Sequence, residues 1–262
     1  MKKLMITATV ALCAAVGANA LESANVVGYQ STVTPSLGNK LVAGTFVTVG
    51  ESGTFTLADL KGAGYDPDDG AWGEMKVTVL NSAGSEAKDG DGNELSFYWY
   101  DNEDVAAGWY NGDGDEAWDA ANVVFDAGTS FWIAGDGQTI TAAGEVKLTT
   151  VKVETPSLGN KATGNPFPVQ ITLANMAGAD YDPDDGAWGE MKVTILNSAG
   201  SEAKDGDGNE LSFYWYDNED VAAGWYNGDG DEAWDPATVI AAGEGFWVAG
   251  DGQSLVFTPP AM

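Results

Sequence analysis

The sequence predicts an all-β protein made of two tandem β-sandwich or jelly-roll-like repeats of about 120 residues each. Three observations lead there. Residues 65–119 recur at residues 181–235, at a constant offset of 116 and with one exchange, Val79 for Ile195. Apolar and polar side chains alternate over short stretches separated by glycine-rich turns. No span sustains the 3.6-residue period of a helix.

Taken in order, residues 25–33 are β-branched and stop before Pro35, as a strand would. Residues 146–154 hold the equivalent place in the second repeat, and both run into Thr-Pro-Ser-Leu-Gly-Asn-Lys at 34–40 and 155–161. Residues 41–49 read as a further strand. Thr56-Leu57-Ala58-Asp59-Leu60 and Thr172-Leu173-Ala174-Asn175-Met176 read as one helical turn, with a capping threonine and an acid or amide three positions on. Met75, Val77 and Val79 share one strand face, as do Leu95, Phe97 and Trp99. Short strands follow around Trp109-Tyr110, at residues 123–125 and at Phe131-Trp132-Ile133. Gly135-Asp136-Gly137 is expected to be the hairpin turn into residues 139–141. The boundary between repeats is expected near residues 142–145, giving a signal segment at 1–20 and repeats at 21–145 and 146–262.

The signal segment is read from Lys2 and Lys3, an apolar run from Leu4 to Val16, and Ala18-Asn19-Ala20 ahead of the cleavage point. It implies a secreted or cell-surface protein. Its removal takes Cys13 and two lysines and moves the formal charge from −29 to −31. What remains has no cysteine, histidine or arginine. Such a chain is held by its core, by association or by bound ions rather than by disulfides. Its charge argues against nucleic acid, because no basic patch exists to displace counterions from phosphate. No stretch is long and apolar enough for a membrane span.

Of the 40 acids, 30 lie in the two duplicated segments. Asp89-Gly-Asp91-Gly-Asn93-Glu94 and Asn111-Gly-Asp113-Gly-Asp115-Glu116 place side-chain oxygens at alternate positions, and Asp66-Pro-Asp68-Asp69-Gly70 is a shorter version. The second copies contribute Asp182, Asp184, Asp205, Asp207, Asn209, Asn227, Asp229 and Asp231. Calcium takes six to eight oxygens in a flexible cage, and interposed glycines let several carboxylates turn toward one ion. Neither six-residue loop is an EF-hand, since Glu94 and Glu116 stand where that loop needs glycine. The same residues also serve ordinary Asp-Gly and Asn-Gly turns. Softer metals lack imidazole or thiolate ligands here.

The ten tryptophans divide five and five. Trp99 and Trp132 sit inside predicted strands and read as packing residues. Trp109-Tyr110 and Trp225-Tyr226 lie in glycine- and acid-rich surroundings, where they either plug the ends of a sandwich or offer a stacking platform to a sugar ring. Triads built on histidine or cysteine are impossible. Paired carboxylates remain available for glycoside hydrolysis, but nothing marks one acid as special.

Ala24-Asn25-Val26-Val27-Gly28-Tyr29 after the signal resembles the start of uncharacterised exported β-rich repeat proteins of environmental outer-membrane bacteria. Gly164-Asn165-Pro166-Phe167-Pro168, Phe213-Tyr214-Trp215-Tyr216-Asp217, Gly224-Trp225-Tyr226 and Gly245-Phe246-Trp247-Val248 extend the resemblance; the first repeat departs from it at Gly44-Thr45-Phe46. The resemblance implies a secreted β-rich repeat protein and brings no site residues with it. The expectation is therefore a non-catalytic surface or matrix protein, stiffened by calcium and associating with itself into fibres or layers. The alternative is a tandem carbohydrate-binding protein that engages surface polysaccharide.

Overall fold

The computed structural model describes residues 27–47, 54–63, 75–81, 84–101, 106–111, 116–126, 128–180, 191–197, 200–217, 221–228 and 232–261. The signal segment 1–20 and Asp66, Asp68, Asp113, Asp115, Asp182, Asp184, Asp229 and Asp231 lie outside the described residues. Within them the protein is all-β: the strands form several antiparallel sheets, and the only helical elements are short 3-10 turns. No helix among the described residues is long and apolar enough to cross a membrane.

The first half runs β1 (Val27–Val33), β2 (Lys40–Ala43), β3 (Phe46–Val47), β4 (Thr54–Thr56), β5 (Leu60–Ala63) and β6 (Lys76–Val79). It continues with β7 (Ser96–Tyr100), β8 (Gly108–Tyr110), β9 (Val124–Asp126), β10 (Ser130–Ala134) and β11 (Thr139–Val146). One sheet places β11 between β1 on one side and β3 and β5 on the other; a second has the order β2-β10-β6-β7-β8. The second half supplies β12 (Val151–Glu154), β13 (Asn160–Gly164), β14 (Ile171–Thr172), β15 (Met176–Ala179) and β16 (Met191–Ile195). After these come β17 (Ser212–Tyr216), β18 (Gly224–Tyr226), β19 (Val239–Ile240), β20 (Gly245–Ala249) and β21 (Ser254–Phe257). They repeat the plan as β12-β21-β15 and β13-β20-β16-β17-β18. Small ribbons β4-β9 and β14-β19 complete each half.

Alternation decides which side chains enter the cores. Met75, Val77, Phe97, Trp99, Phe131 and Ile133 are buried with Phe46, Leu60 and Ile140 of the other sheet, and the second half matches with Met191, Val193, Phe213, Trp215, Phe246, Val248 and Leu255. The expected one-turn helices exist as 3-10 turns at Leu57–Asp59 and Leu173–Asn175. Asp59 accepts from both the N–H and the hydroxyl of Thr56, and Asn175 does the same for Thr172.

Four local expectations are corrected. Gly135-Asp136-Gly137 does not close a hairpin, because β10 and β11 belong to different sheets and the turn carries the chain across the core. Gln138 anchors that crossing: its backbone carbonyl accepts from the Thr34 N–H at 2.8 Å, as the Gln253 carbonyl does from Thr155. The strand expected over 41–49 breaks at Gly44-Thr45, so that β2 joins one sheet and β3 the other. In the second half the same break is held by Asn165, fully buried, whose amide donates to Val169 and Ala241 carbonyls and whose oxygen accepts from the Phe167 N–H. Residues 123–125 do not finish the large sheet, since β9 pairs with β4. Finally, residues 142–145 are the interior of β11, and the chain passes between halves at residues 147–150.

The outward face of the central strands makes the seam between halves. Trp132 and Trp247, flanked by inward phenylalanine and isoleucine or valine, meet edge to face at 6.3 Å. Leu41, Leu80 and Ala162 are buried beside them. Val42 bridges Glu244 while Thr129 bridges Thr163. Thr129 and Glu244 are equivalent positions, as are Val42 and Thr163, so the contacts exchange under a pseudo-twofold axis. Trp247 also covers Gly84, and Trp132 covers Gly200.

Both glycines have positive φ, so alanine at either costs about 1–2 kcal/mol from backbone alone. Gly84→Ala is expected to cost more than Gly200→Ala, because its Cβ would stand 2.6 Å from the Trp247 ring against 3.3 Å for Gly200 and Trp132. Urea unfolding of the two variants measures the difference; equal losses would mean that Trp247 moves aside freely.

Candidate functional site

The acidic loop after β6 is a turn closed on its own first carboxylate. Asp89 Oδ1 accepts the N–H groups of Asp91 at 2.9 Å and Asn93 at 2.8 Å, and Oδ2 accepts the Asn93 amide at 3.1 Å. Gly92 takes φ +88°, which explains the glycine. Asp205 repeats every bond with Asp207 and Asn209. These donors, the Asn93 and Asn209 side-chain amides foremost, hold both carboxyls below the ordinary value of 3.8. The alternating oxygens thus build a turn, and the lead carboxylate is already supplied with donors.

The second acidic loop folds back on β8. Asn111 N–H donates to the Glu116 carbonyl at 3.0 Å, and Trp118 N–H donates to the Trp109 carbonyl at 2.9 Å. This brings it beside the first loop, across the face of β7 that carries Ser96 and Tyr98. Between them lies a groove of about 800 Å³, lined by Asp89, Asn93, Glu94, Ser96, Tyr98, Asn111, Glu116, Trp118 and Asp119. A groove of about 750 Å³ lies at the same place in the second half, lined by Asp205, Asp207, Asn209, Glu210, Tyr214, Asn227, Glu232, Trp234 and Asp235 among others. Among the described residues no lysine lines either groove. On the same face of the sheet, directly across from each tyrosine, Lys76 stands 5.6 Å from the Tyr98 ring centre and Lys192 5.5 Å from that of Tyr214. The hydrogen bond that the protonated Glu86 carboxyl donates to the Glu94 carboxylate raises Glu86 above the ordinary carboxylate value.

Of the acids and amides expected to bind calcium, Asp89, Asn93 and Asn111 come together at the first groove, and Asp205, Asp207, Asn209 and Asn227 at the second. Asp91 is exposed and does not line the first. Among the described residues no cluster of three or more acidic side chains is placed to hold one ion.

The stacking platform expected at Trp109 and Trp225 is not available. These residues are only 4% and 6% exposed, and their indole N–H groups donate to the Leu60 and Met176 carbonyls. Their partners Tyr110 and Tyr226 are half-buried, with hydroxyls donating to Ala106 and Ala222. The aromatic residues that reach a groove are instead Tyr98 with Trp118 and Tyr214 with Trp234. The strand alternation that buries Phe97 and Trp99 is the signal for Tyr98.

No family model, curated protein or solved structure matches this chain.

Removing the turn-closing acid should loosen the loop without unfolding the sheet. Asp89→Ala is expected to speed amide exchange at Asp91 and Asn93, and Asp205→Ala at Asp207 and Asn209. Because the folded pKa values are depressed, this protection is complete above the ordinary carboxylate value and is lost as pH falls through the lower folded one. Hydrogen exchange followed by NMR between neutral and strongly acidic pH checks both statements.

Proposed function

We propose that the chain is an exported, non-catalytic glycan-binding protein built of two β-sandwich repeats that meet at residues 147–150, each presenting one groove to an extracellular polysaccharide. The observation that carries this reading is the recurrence of one groove, with the same tyrosine, tryptophan, amide and acid residues, in both halves. A sugar ring offers an apolar face to an aromatic side chain and hydroxyls to carboxylate and amide oxygens. The seam holds the halves in one arrangement, so a repeating polymer meets two equal sites at fixed spacing, and avidity exceeds either affinity by about 10²-fold or more. Without histidine, cysteine or arginine the groove has little with which to activate a nucleophile or clamp a transition state.

Tryptophan fluorescence titrated with a panel of neutral polysaccharides tests the reading. Saturable quenching is expected, weakened by Tyr98→Ala or Tyr214→Ala alone by about 10²-fold through lost avidity and abolished by both together. A panel that gives no binding removes it.

The second reading is a calcium-stiffened surface or fibre protein. It is favoured by the four carboxylates, Asp89, Glu94, Glu116 and Asp119, that line one groove. Like charges that share a groove repel one another, and a divalent ion reverses the sign. Thermal unfolding in calcium, compared with magnesium at the same concentration, separates a site from general screening. The glycan reading predicts melting temperatures alike in the two salts. A calcium-specific rise of several degrees would transfer the argument to the structural reading.

A further inference from the structure

The outer face of the sheet formed by β1, β11 and β5 is built unlike its counterpart in the second half. Strand β1 alternates along its length, and Val27, Tyr29 and Val33, on the side away from the core, are 60%, 78% and 59% exposed. Register extends this face across the sheet. Tyr29 lies opposite Ala143 of β11, itself exposed, and Ser31 lies opposite Thr141, their hydroxyls 3.1 Å apart. At the equivalent positions the second half has Lys152 for Ser31 and Glu154 for Val33. Lys152 pairs with Asp180 at 2.7 Å. One half thus turns charged side chains to water at this place, and the other turns apolar ones.

Charge indicates what can cover it. Residues 23–39 contain no Asp, Glu, Lys or Arg, in a chain of formal charge −29. A basic partner is drawn to the acidic loops before it is drawn here. A second copy of the chain, repelled elsewhere by its own sign, meets least repulsion at this face. Strands β1, β5 and β11 also give the face one charge of each sign, placed to complement each other across two copies. Glu145 shares a row with Val27, and Lys61 shares one with Thr141. Those rows stand equally far on either side of the row formed by Tyr29 and Ala143. A twofold axis along the middle row sets Tyr29 on Tyr29 and brings Glu145 of each copy over the row of Thr141 and Lys61 in the other.

We propose that this outer face, centred on Tyr29, binds the same face of a second copy and gives a twofold dimer. The seven residues of β1 and three strands about 4.8 Å apart span about 350 Å² a copy. That is less than stable dimers bury, so association is weak, with a dissociation constant of about 0.1 mM. Two chains of like charge repel, so added salt tightens the dimer, the reverse of its effect on a contact bridged by cations. The first groove lies on the opposite side of the sandwich, on the outward side of β7. The inference therefore does not depend on the glycan reading.

Sedimentation equilibrium of the exported chain in EDTA, from about 10 µM to about 1 mM, tests the proposal. A monomer–dimer equilibrium is expected, tighter at about 0.5 M salt than at about 0.05 M. Tyr29→Lys and Val33→Glu, the latter a residue that the second half carries at the same place, should each weaken it by about tenfold or more. Leu158→Ser, which removes an exposed leucine of the other half, should leave it unchanged. Lys61→Glu and Glu145→Lys should each weaken self-association about fivefold. An equimolar mixture of these two variants should dimerise as the wild type does, because opposite charges then meet at both contacts. A chain monomeric throughout, a dimer lost in EDTA, a dimer indifferent to Val33→Glu, or a mixture no tighter than its components would each overturn the proposal. So would a monomeric wild type whose quenching by polysaccharide is lost in Tyr29→Lys, which would give the face to a glycan.

Discussion

A strand has two faces, and this chain uses both faces of the same few strands. On β10 and β20 the inward residues, Phe131 with Ile133 and Phe246 with Val248, fill the cores, while the outward Trp132 and Trp247 join the halves. On β7 and β17 the inward residues again belong to the cores, and the outward Tyr98 and Tyr214 line the grooves. A slip of one residue in either strand would exchange the faces and destroy core, seam and groove together. With no cysteine after Cys13 to cross-link the chain, this register is the constraint on which everything else rests.

The joining of the halves follows from the same alternation. Large aromatic rings on outward faces would leave apolar surface in water if each half stood alone. The pseudo-twofold arrangement lets each tryptophan cover a glycine of the other half and pack beside leucines from both. The duplicated sequence and the duplicated contact are then one fact seen twice: whatever one half offers the other, it receives back.

Much of the scaffold was legible from local pattern. The faces of Met75-Val77 and Phe97-Trp99, the capped turns at Thr56 and Thr172, and the all-β class follow from spacing of two or three residues, which is the range over which sequence dictates geometry. What was not legible depended on distant partners. Gly135-Asp136-Gly137 announces a turn, yet nothing in it says whether the next strand pairs with the last or crosses to another sheet. Trp109 sits in polar company along the chain but lies under Leu60, 49 residues away, which accepts its N–H. Asp89-Gly-Asp91-Gly-Asn93 has the oxygen spacing of a cation loop and of an Asp-closed turn alike, and the bonds from the Asp91 and Asn93 N–H groups show that the turn is formed. Tyr98 lies between Phe97 and Trp99, on the outward side of a strand whose hydrophobic alternation marks only the inward one.

The near-identity of the two blocks also sets a problem for the nascent chain. Strand β6 placed against β17 would bury the same side chains as β6 against β7, with Ile195 and Val79 the only distinction between the blocks. Correct pairing must therefore be decided by the parts that have diverged: the Thr45–Gln30 contact in one half, the buried Asn165 knot in the other, and the short passage at residues 147–150 that favours neighbours over strangers. Those drifted segments act as the address labels of the two halves, and blending them would leave two good cores with no way to tell which strand belongs to which.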